Sequence, residues 1–248
     1  MHRLRGHDER SEAKACAARC GVRVIHYHGT PLTPRAELLK MAGRNFCVSF
    51  ANANDVDVCL RIGQSVMFDN GAFSAFTKGV PFNEVGYFAW LEDRIGHPHW
   101  AVIPDVIDGT PEQQRGMRGR WPFPKELSAP VWHLALPFDY LSEIADEYPR
   151  ICFGSTAQYW QIGTPQWCER MDKAFNLLAK RRFMPWVHGL RMLNLGGSEY
   201  PLASADSVNV ARNFKDVPIC PDVMASRIDA RNNPTKWKER ETQCTLFF

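Results

Sequence analysis

The chain has 248 residues, of which 45% are hydrophobic and 23% charged, so its composition is that of an ordinary globular protein and excludes wholesale disorder. Its formal net charge of +3 is too small to establish a polyanionic partner, although it allows a local basic patch. The first twenty residues are charged and lack the apolar centre of a signal peptide, and no stretch of about 18 apolar residues occurs. We therefore expect a cytoplasmic protein without a membrane partner.

Short apolar stretches recur along the chain, and buried parallel strands favour such stretches. The predicted strands are 22–28, 46–50, 65–69, 99–105, 130–136, 151–155, 187–193 and 204–210. Helical patterns lie between them at 83–95, 138–148 and 164–182, and the last begins with a typical cap and first-turn pair, Thr164 and Pro165.

Strands that alternate with helices predict an α/β fold with a parallel sheet, and this number of units favours a single (β/α)8 TIM barrel. We place the barrel at 22–213, after a poorly ordered or peripheral N-terminal extension at 1–21. Residues 214–248 would pack on the barrel or form a tail. A doubly wound open sheet is the alternative.

Aspartates stand at or near the ends of three predicted strands, namely Asp69, Asp105 and Asp206. In a barrel the carboxyl ends of the strands surround one mouth, where such enzymes carry out their chemistry. An aspartate after a strand also commonly caps the next helix, which is the structural alternative. After Asp69, the pair Asn70-Gly71 predicts a tight turn, and Phe73 is placed to stack on an aromatic base.

These segments carry a family resemblance. FDNGAFSAF at 68–76 resembles the DSGGFQ segment of tRNA-guanine transglycosylases, and is more similar to that of phage and bacterial relatives that insert 7-deazaguanines into DNA. IPDVIDG at 103–109 is similar to the family's base-recognising strand end, and ICFGSTAQY at 151–159 to its glycine-bearing loop. SADSVNVARN at 204–213 is similar to its nucleophile segment. The resemblance spans 65–213 in matching order.

The resemblance implies that Asp206 is the nucleophile and Asp69 the acid/base. It implies that Asp105 recognises the guanine-like edge and that Gly154 offers main-chain contacts. The full set of expected substrate-binding residues is Asn70, Phe73, Asp105, His133, Gly154, Ser155 and His188. The implied reaction replaces guanine in DNA with 7-cyano-7-deazaguanine or a related base through a covalent aspartyl-sugar intermediate, without a cofactor.

The chain departs from the tRNA enzymes in two respects. They carry a C-x-C-x-x-C zinc site with a later histidine, whereas only Cys220 and Cys244 follow the nucleophile segment here, so we expect no structural zinc. The chain is also shorter, which favours DNA as the partner over tRNA, together with the free 7-deazaguanine base. A homodimer or an accessory DNA-binding protein is a further expectation.

Two arginine clusters are candidates for contacts with phosphates. They are Arg115, Arg118 and Arg120, and Arg227, Arg231 and Arg240. Solvated helix faces are the alternative interpretation of both clusters.

Two other functions stay open. His26 and His28 form an H-x-H pair on one side of the first predicted strand, and with His133, His188 and Asp206 they would suit a metal-dependent hydrolase of the amidohydrolase kind. Against this, the sixth strand lacks the histidine that such hydrolases usually place there. A catalytically inert nucleic-acid-binding barrel is the third possibility.

Overall fold

The computed structural model describes residues 24–193, 199–216, 219–230 and 237–240, and its strands form one parallel sheet. The sheet has nine strands in the order β5-β4-β3-β2-β1-β9-β8-β7-β6. They are β1 Ile25–Gly29, β2 Asn45–Ser49, β3 Ser65–Asp69, β4 Trp100–Val102, β5 Ser128–Ala129, β6 Val131–His133, β7 Arg150–Gly154, β8 Trp186–Gly189 and β9 Ser204–Ser207.

The sheet curls into a nearly closed barrel at Pro130. β5 pairs with β4, whereas β6, on the other side of this single residue, pairs with β7. One short stretch of chain thus supplies both ends of the sheet, and proline suits the break because it has no N–H for a ladder hydrogen bond. The prediction of an α/β TIM-like barrel is confirmed, although the fifth predicted strand is divided in two. The open-sheet alternative is wrong.

Helices follow most of the strands and cover the outside of the barrel. They are α1 Arg35–Leu39, α2 Val56–Ile62, α3 Ala72–Lys78, α4 Glu84–Glu92, α5 Pro111–Gly119, α6 Phe138–Glu147, α7 Pro165–Ala179, α8 Asn209–Asn213 and α9 Pro221–Asp229. Short 3-10 turns occupy Phe50–Asn52, Lys125–Leu127 and Ala157–Tyr159. As predicted, Thr164 caps α7 by accepting a hydrogen bond from the Trp167 N–H, with Pro165 in the first turn. None of the described helices has the length and apolarity needed to cross a membrane.

Large side chains fill the lower part of the barrel interior. Trp100 Nε1 donates a hydrogen bond to the Tyr27 hydroxyl at 2.8 Å, and both residues are buried together with Met67 and Cys152. The Tyr27 hydroxyl also lies 3.2 Å from Ser65 Oγ. This layer fills the barrel interior below the carboxyl ends of the strands, the face at which barrel enzymes carry their active sites.

The segment after the predicted barrel lies against its outer surface where the structure describes it. Ala225 and Ile228 of α9 are buried in the apolar layer between sheet and helices. Asp229, at the end of α9, accepts a hydrogen bond from Arg44 at 2.7 Å. The predicted N-terminal extension at 1–21 and Cys244 lie outside the described residues.

Candidate active site

A cavity of about 670 Å³ opens at the carboxyl ends of the strands. Its volume lies within the range of about 300–1,000 Å³ typical of small-ligand sites. Nearly all of the candidate residues from the sequence line it, namely Asp69, Asn70, Phe73, Asp105, His133, Gly154, Ser155 and Asp206. The exception is His188.

Asp69 and Asp206 share this cavity, although two strands, β2 and β1, separate their own strands in the sheet. The pKa of Asp69 is raised from 3.8 to about 6, with burial as the largest cause. The neighbouring Ser49 hydroxyl acts in the opposite direction, while the charges of Asp206 and Asp105 raise the pKa further. The charge of Asp206 thus contributes to the raised pKa of Asp69 from another part of the same cavity.

Asp206 is held in place by two neighbours beneath the cavity. Its Oδ1 accepts a hydrogen bond from the Arg191 backbone N–H at 2.8 Å, and His188 Nε2 lies 3.3 Å away. His188 Nδ1 lies 2.7 Å from Ser204 Oγ, and the ring is fully buried. The structure corrects the prediction that His188 binds substrate: both ring nitrogens face protein groups, so His188 positions Asp206.

Asp105 is fixed by two side chains. Its Oδ1 accepts a hydrogen bond from Asn70 Nδ2 at 2.8 Å, and its Oδ2 lies 2.7 Å from His133 Nε2. Each carboxylate oxygen keeps a lone pair with which it can accept from a ligand. The arrangement therefore presents a fixed acceptor edge to the cavity.

Asn70, predicted to bind substrate, lines the cavity, but its side chain is engaged within the protein. Its Nδ2 donates to the Ile103 carbonyl at 3.0 Å as well as to Asp105, and its Oδ1 accepts from the Ala72 N–H at 2.7 Å. With both N–H groups used within the protein, Asn70 orients Asp105, and its carbonyl stabilises the turn that precedes α3. His133 is likewise engaged with Asp105, although it lines the cavity.

Two positions beside the cavity require glycine because neighbouring atoms lie too close for a Cβ. Gly71 has φ 75°, and a Cβ there would lie 2.9 Å from the Ala51 nitrogen, which explains the predicted tight turn after Asn70. A Cβ on Gly154 would lie 2.9 Å from His133 Nδ1. Gly154 therefore leaves room for the His133 ring in its position beside Asp105.

Exposed aromatic rings surround the mouth of the cavity. Phe73 is 40% exposed, and the Arg191 guanidinium carbon lies 4.4 Å from its ring centroid. Phe76 and Trp160 also line the cavity with substantial exposed surface, whereas Tyr159 packs against the core beside Arg170. Ser155 lines the cavity, and its hydroxyl accepts a hydrogen bond from Trp167 Nε1 at 2.9 Å.

Sequence reasoning missed Arg191, Trp160 and Ser49. Arg191 falls within the predicted strand 187–193, but in the structure this strand, β8, ends at Gly189. Arg191 therefore lies in the following turn rather than in the sheet. Trp160 stands one residue beyond the segment that carries the family resemblance. Ser49 lies opposite Asp69 on the neighbouring strand. The register of these two strands would therefore have indicated Ser49.

The H-x-H pair lies on the outside of the barrel. Tyr27 points into the barrel interior, so His26 and His28 on either side of it point outward. There, His28 Nε2 lies 3.0 Å from Asp229 Oδ1, and His26 Nδ1 lies 3.5 Å from the same atom. The proposed joint site with His133 is therefore not assembled. Among the described residues, no group of three or more His, Cys, Asp or Glu side chains is placed to hold a metal.

Most members of the two arginine clusters are paired with acids on the outer surface. Arg115 and Arg118 both contact Glu143, and Arg120 contacts Glu84 at 2.9 Å. In the second cluster, Arg240 pairs with Asp172 at 3.1 Å, Arg227 is exposed on α9, and Arg231 lies outside the described residues. For the paired members, this favours the solvated-face interpretation over a phosphate-binding surface.

Comparisons of the chain with protein-family models, with curated proteins and with solved structures found no match. The chemistry of the cavity therefore indicates what the protein can do. It combines two interacting carboxylates, a third that is fixed as a hydrogen-bond acceptor, and an aromatic ring at the mouth.

Proposed function

We propose that this protein is a base-exchange transglycosylase that replaces guanine in DNA with a 7-deazaguanine, using Asp206 as the nucleophile and Asp69 as the acid/base. The observation that carries the proposal is that Asp69 and Asp206, from distant strands, line one cavity and interact electrostatically. The choice of a guanine-like base and of DNA depends on the resemblance of segments 68–76, 103–109, 151–159 and 204–213 to the transglycosylases.

The first half-reaction breaks the N-glycosidic bond. A base within a duplex is inaccessible, so the target nucleotide must be flipped out or unpaired. The Asp206 carboxylate attacks C1′ of the sugar, the bond from C1′ to the base breaks, and its electron pair leaves with guanine. Asp69 transfers its proton to the departing base, which leaves a covalent aspartyl-sugar ester and an ionised Asp69.

The second half-reaction reverses these steps with the incoming base. Its N–H gives a proton to the Asp69 carboxylate, and the nitrogen attacks C1′ and displaces Asp206. One glycosidic bond replaces another, so the reaction balances without ATP, an oxidant or a cofactor. A pKa of about 6 suits Asp69 for both transfers, because both of its protonation states are populated near neutral pH.

Asp105 and Phe73 suit recognition of guanine. The Watson–Crick edge of guanine carries adjacent N–H donors, and the fixed Asp105 carboxylate offers acceptors that match them. Phe73 is an aromatic face on which the flat base can stack. The same contacts suit a 7-deazaguanine, whose recognition edge is identical.

DNA is the proposed polymer and tRNA the alternative. Most arginines of the two surface clusters are paired with acids, so we propose that affinity for the polymer comes from the cavity mouth, from a second copy of the chain or from an accessory DNA-binding protein.

The test is incubation of the purified protein with guanine-labelled DNA, and separately with labelled tRNA, together with 7-cyano-7-deazaguanine, followed by nucleoside analysis. We expect label to leave DNA and the new base to appear there. Asp206→Asn should abolish both the exchange and the covalent protein–DNA adduct while it retains binding. Asp216→Asn, an exposed acid beyond α8, is the matched control.

Each result contrary to these expectations has a distinct meaning. Loss of label from tRNA alone would overturn the choice of polymer. Label retained in both polymers, with no adduct and with Asp206→Asn indistinguishable from wild type, would overturn the enzyme assignment and favour an inert binding barrel.

A further inference from the structure

Arg191 and Phe73 meet across the mouth of the cavity. Arg191 follows β8 and Phe73 lies on α3 after β3, and three strands separate β8 from β3 in the sheet. The guanidinium carbon nevertheless lies 4.4 Å from the Phe73 ring centroid. The guanidinium therefore covers a face of the aromatic ring that the proposed function assigns to base stacking.

The Arg191 side chain is held only weakly in this position. The residue is exposed, and within the described part of the chain its guanidinium makes no ion pair with a carboxylate. An exposed cation–π contact is weak compared with a charge-assisted hydrogen bond to an anion. The guanidinium can thus leave Phe73 when an anion is offered.

The backbone of Arg191 makes a separate contact, with the proposed nucleophile. Its N–H donates to Asp206 Oδ1 at 2.8 Å, in a conformation with φ 58°. A movement of the side chain leaves this hydrogen bond in place. Substitutions of the side chain can therefore test the guanidinium without removing the contact to the nucleophile.

A nucleotide whose base enters the cavity brings its phosphates to the mouth. Guanidinium binds phosphate through two parallel hydrogen bonds, and this makes arginine a preferred phosphate ligand. We infer that Arg191 is a phosphate-binding residue whose guanidinium covers Phe73 until it binds a nucleotide phosphate. This inference rests on the proposed function. The cavity then admits a base carried on a polynucleotide in preference to a free base.

This inference predicts opposite effects on two ligands, which a merely structural role of Arg191 would not produce. The probes are a guanine-containing single-stranded DNA oligonucleotide and free guanine, titrated separately against wild type and Arg191→Ala. Arg191→Ala should bind the oligonucleotide about 10-fold more weakly, with the slope of log affinity against log salt reduced by about one. It should bind free guanine about 2- to 5-fold more tightly, because the Phe73 face is open.

Two further variants complete the experiment. Arg191→Lys keeps the charge, so it should retain the wild-type salt slope while losing the paired hydrogen bonds. Arg212→Ala removes an exposed arginine of α8 that does not line the cavity, and it should leave the affinities for both ligands unchanged.

The result that would overturn the inference is an Arg191→Ala protein that binds both ligands more weakly, or one that binds both as wild type does. A finding that the wild-type protein binds neither DNA nor guanine would instead refute the proposed function itself. The two failures are therefore distinguishable.

Discussion

The side-chain amide of Asn70 donates to Asp105 Oδ1 at 2.8 Å and to the Ile103 carbonyl at 3.0 Å, so one residue of the turn after β3 orients the carboxylate that follows β4. The sequence pattern places Asn70 next to Asp69, where its amide could serve a ligand. In the structure it instead links two neighbouring strand ends into one rigid wall of the cavity.

Asn70→Ala should therefore weaken both the fold and base binding. It leaves the buried Ile103 carbonyl without its donor, which costs on the order of 1–3 kcal/mol of unfolding free energy. It also frees Asp105 to rotate, so the affinity for guanine should fall. Urea denaturation and calorimetric titration measure the two effects, with Asn52→Ala, an exposed amide lining the same cavity, as the control. Unchanged guanine affinity in Asn70→Ala would refute the positioning role.

Strand ends could be predicted because they depend on short-range pattern. Buried apolar stretches and the aspartates that follow them carry enough information to place Asp69, Asp105 and Asp206 at one mouth. The direction of a side chain is harder to predict where a strand is buried on both faces. His26, Tyr27 and His28 are all buried, so alternation indicates that the two histidines share a side but not which side faces the barrel interior.

The positions of loop residues cannot be predicted from periodicity, for a different reason. Arg191 reaches Phe73 and Trp160 reaches the cavity through turns whose path depends on tertiary packing. The division of the fifth strand also depends on closure of the whole sheet, since β5 and β6 pair with strands at its opposite ends. Pro130 indicates where the fifth predicted strand is divided, but the division itself follows from the closure of the barrel.

Ser49→Ala should raise the pKa of Asp69. The Ser49 hydroxyl lowers this pKa against burial and the neighbouring acids, so its removal takes away one of the influences that favour the ionised form. Under the proposed mechanism guanine release needs protonated Asp69 and slows as pH rises through about 6. The midpoint of that decline should therefore move to higher pH in Ser49→Ala.

The measurement is single-turnover release of labelled guanine from DNA across the pH range. Ser74→Ala is the matched control, because Ser74 lines the same cavity but is not among the largest influences on the Asp69 pKa. A midpoint that stays at the wild-type pH, or moves down, would contradict the assignment of Ser49.

Gly154→Ala should displace the His133 ring. The added Cβ would lie 2.9 Å from His133 Nδ1, closer than such contacts allow, so the ring must move away from Asp105. We expect guanine affinity to fall about 10-fold, as is typical when a charge-assisted hydrogen bond that orients a binding group is lost. Gly116→Ala in α5 is the control, since a Cβ there meets only the end of an arginine side chain at 3.7 Å. Equal affinities in the two variants would show that the close contact at Gly154 does not orient Asp105.

Asp69→Asn should abolish base exchange and yet stabilise the fold at neutral pH. The carboxyl group has an ordinary pKa of 3.8 and a pKa of about 6 in the folded protein. As pH rises above the first value the unfolded chain loses this proton more readily than the folded one, so a cost to folding develops that is complete above the second value. The neutral amide removes this cost, which is on the order of 3 kcal/mol. Urea denaturation should therefore find Asp69→Asn more stable than wild type above about pH 7 and equal to it below about pH 3. Asp216→Asn, which removes an exposed carboxylate, is the control, and a gain in Asp69→Asn that is the same at both pH values would contradict the raised pKa of Asp69.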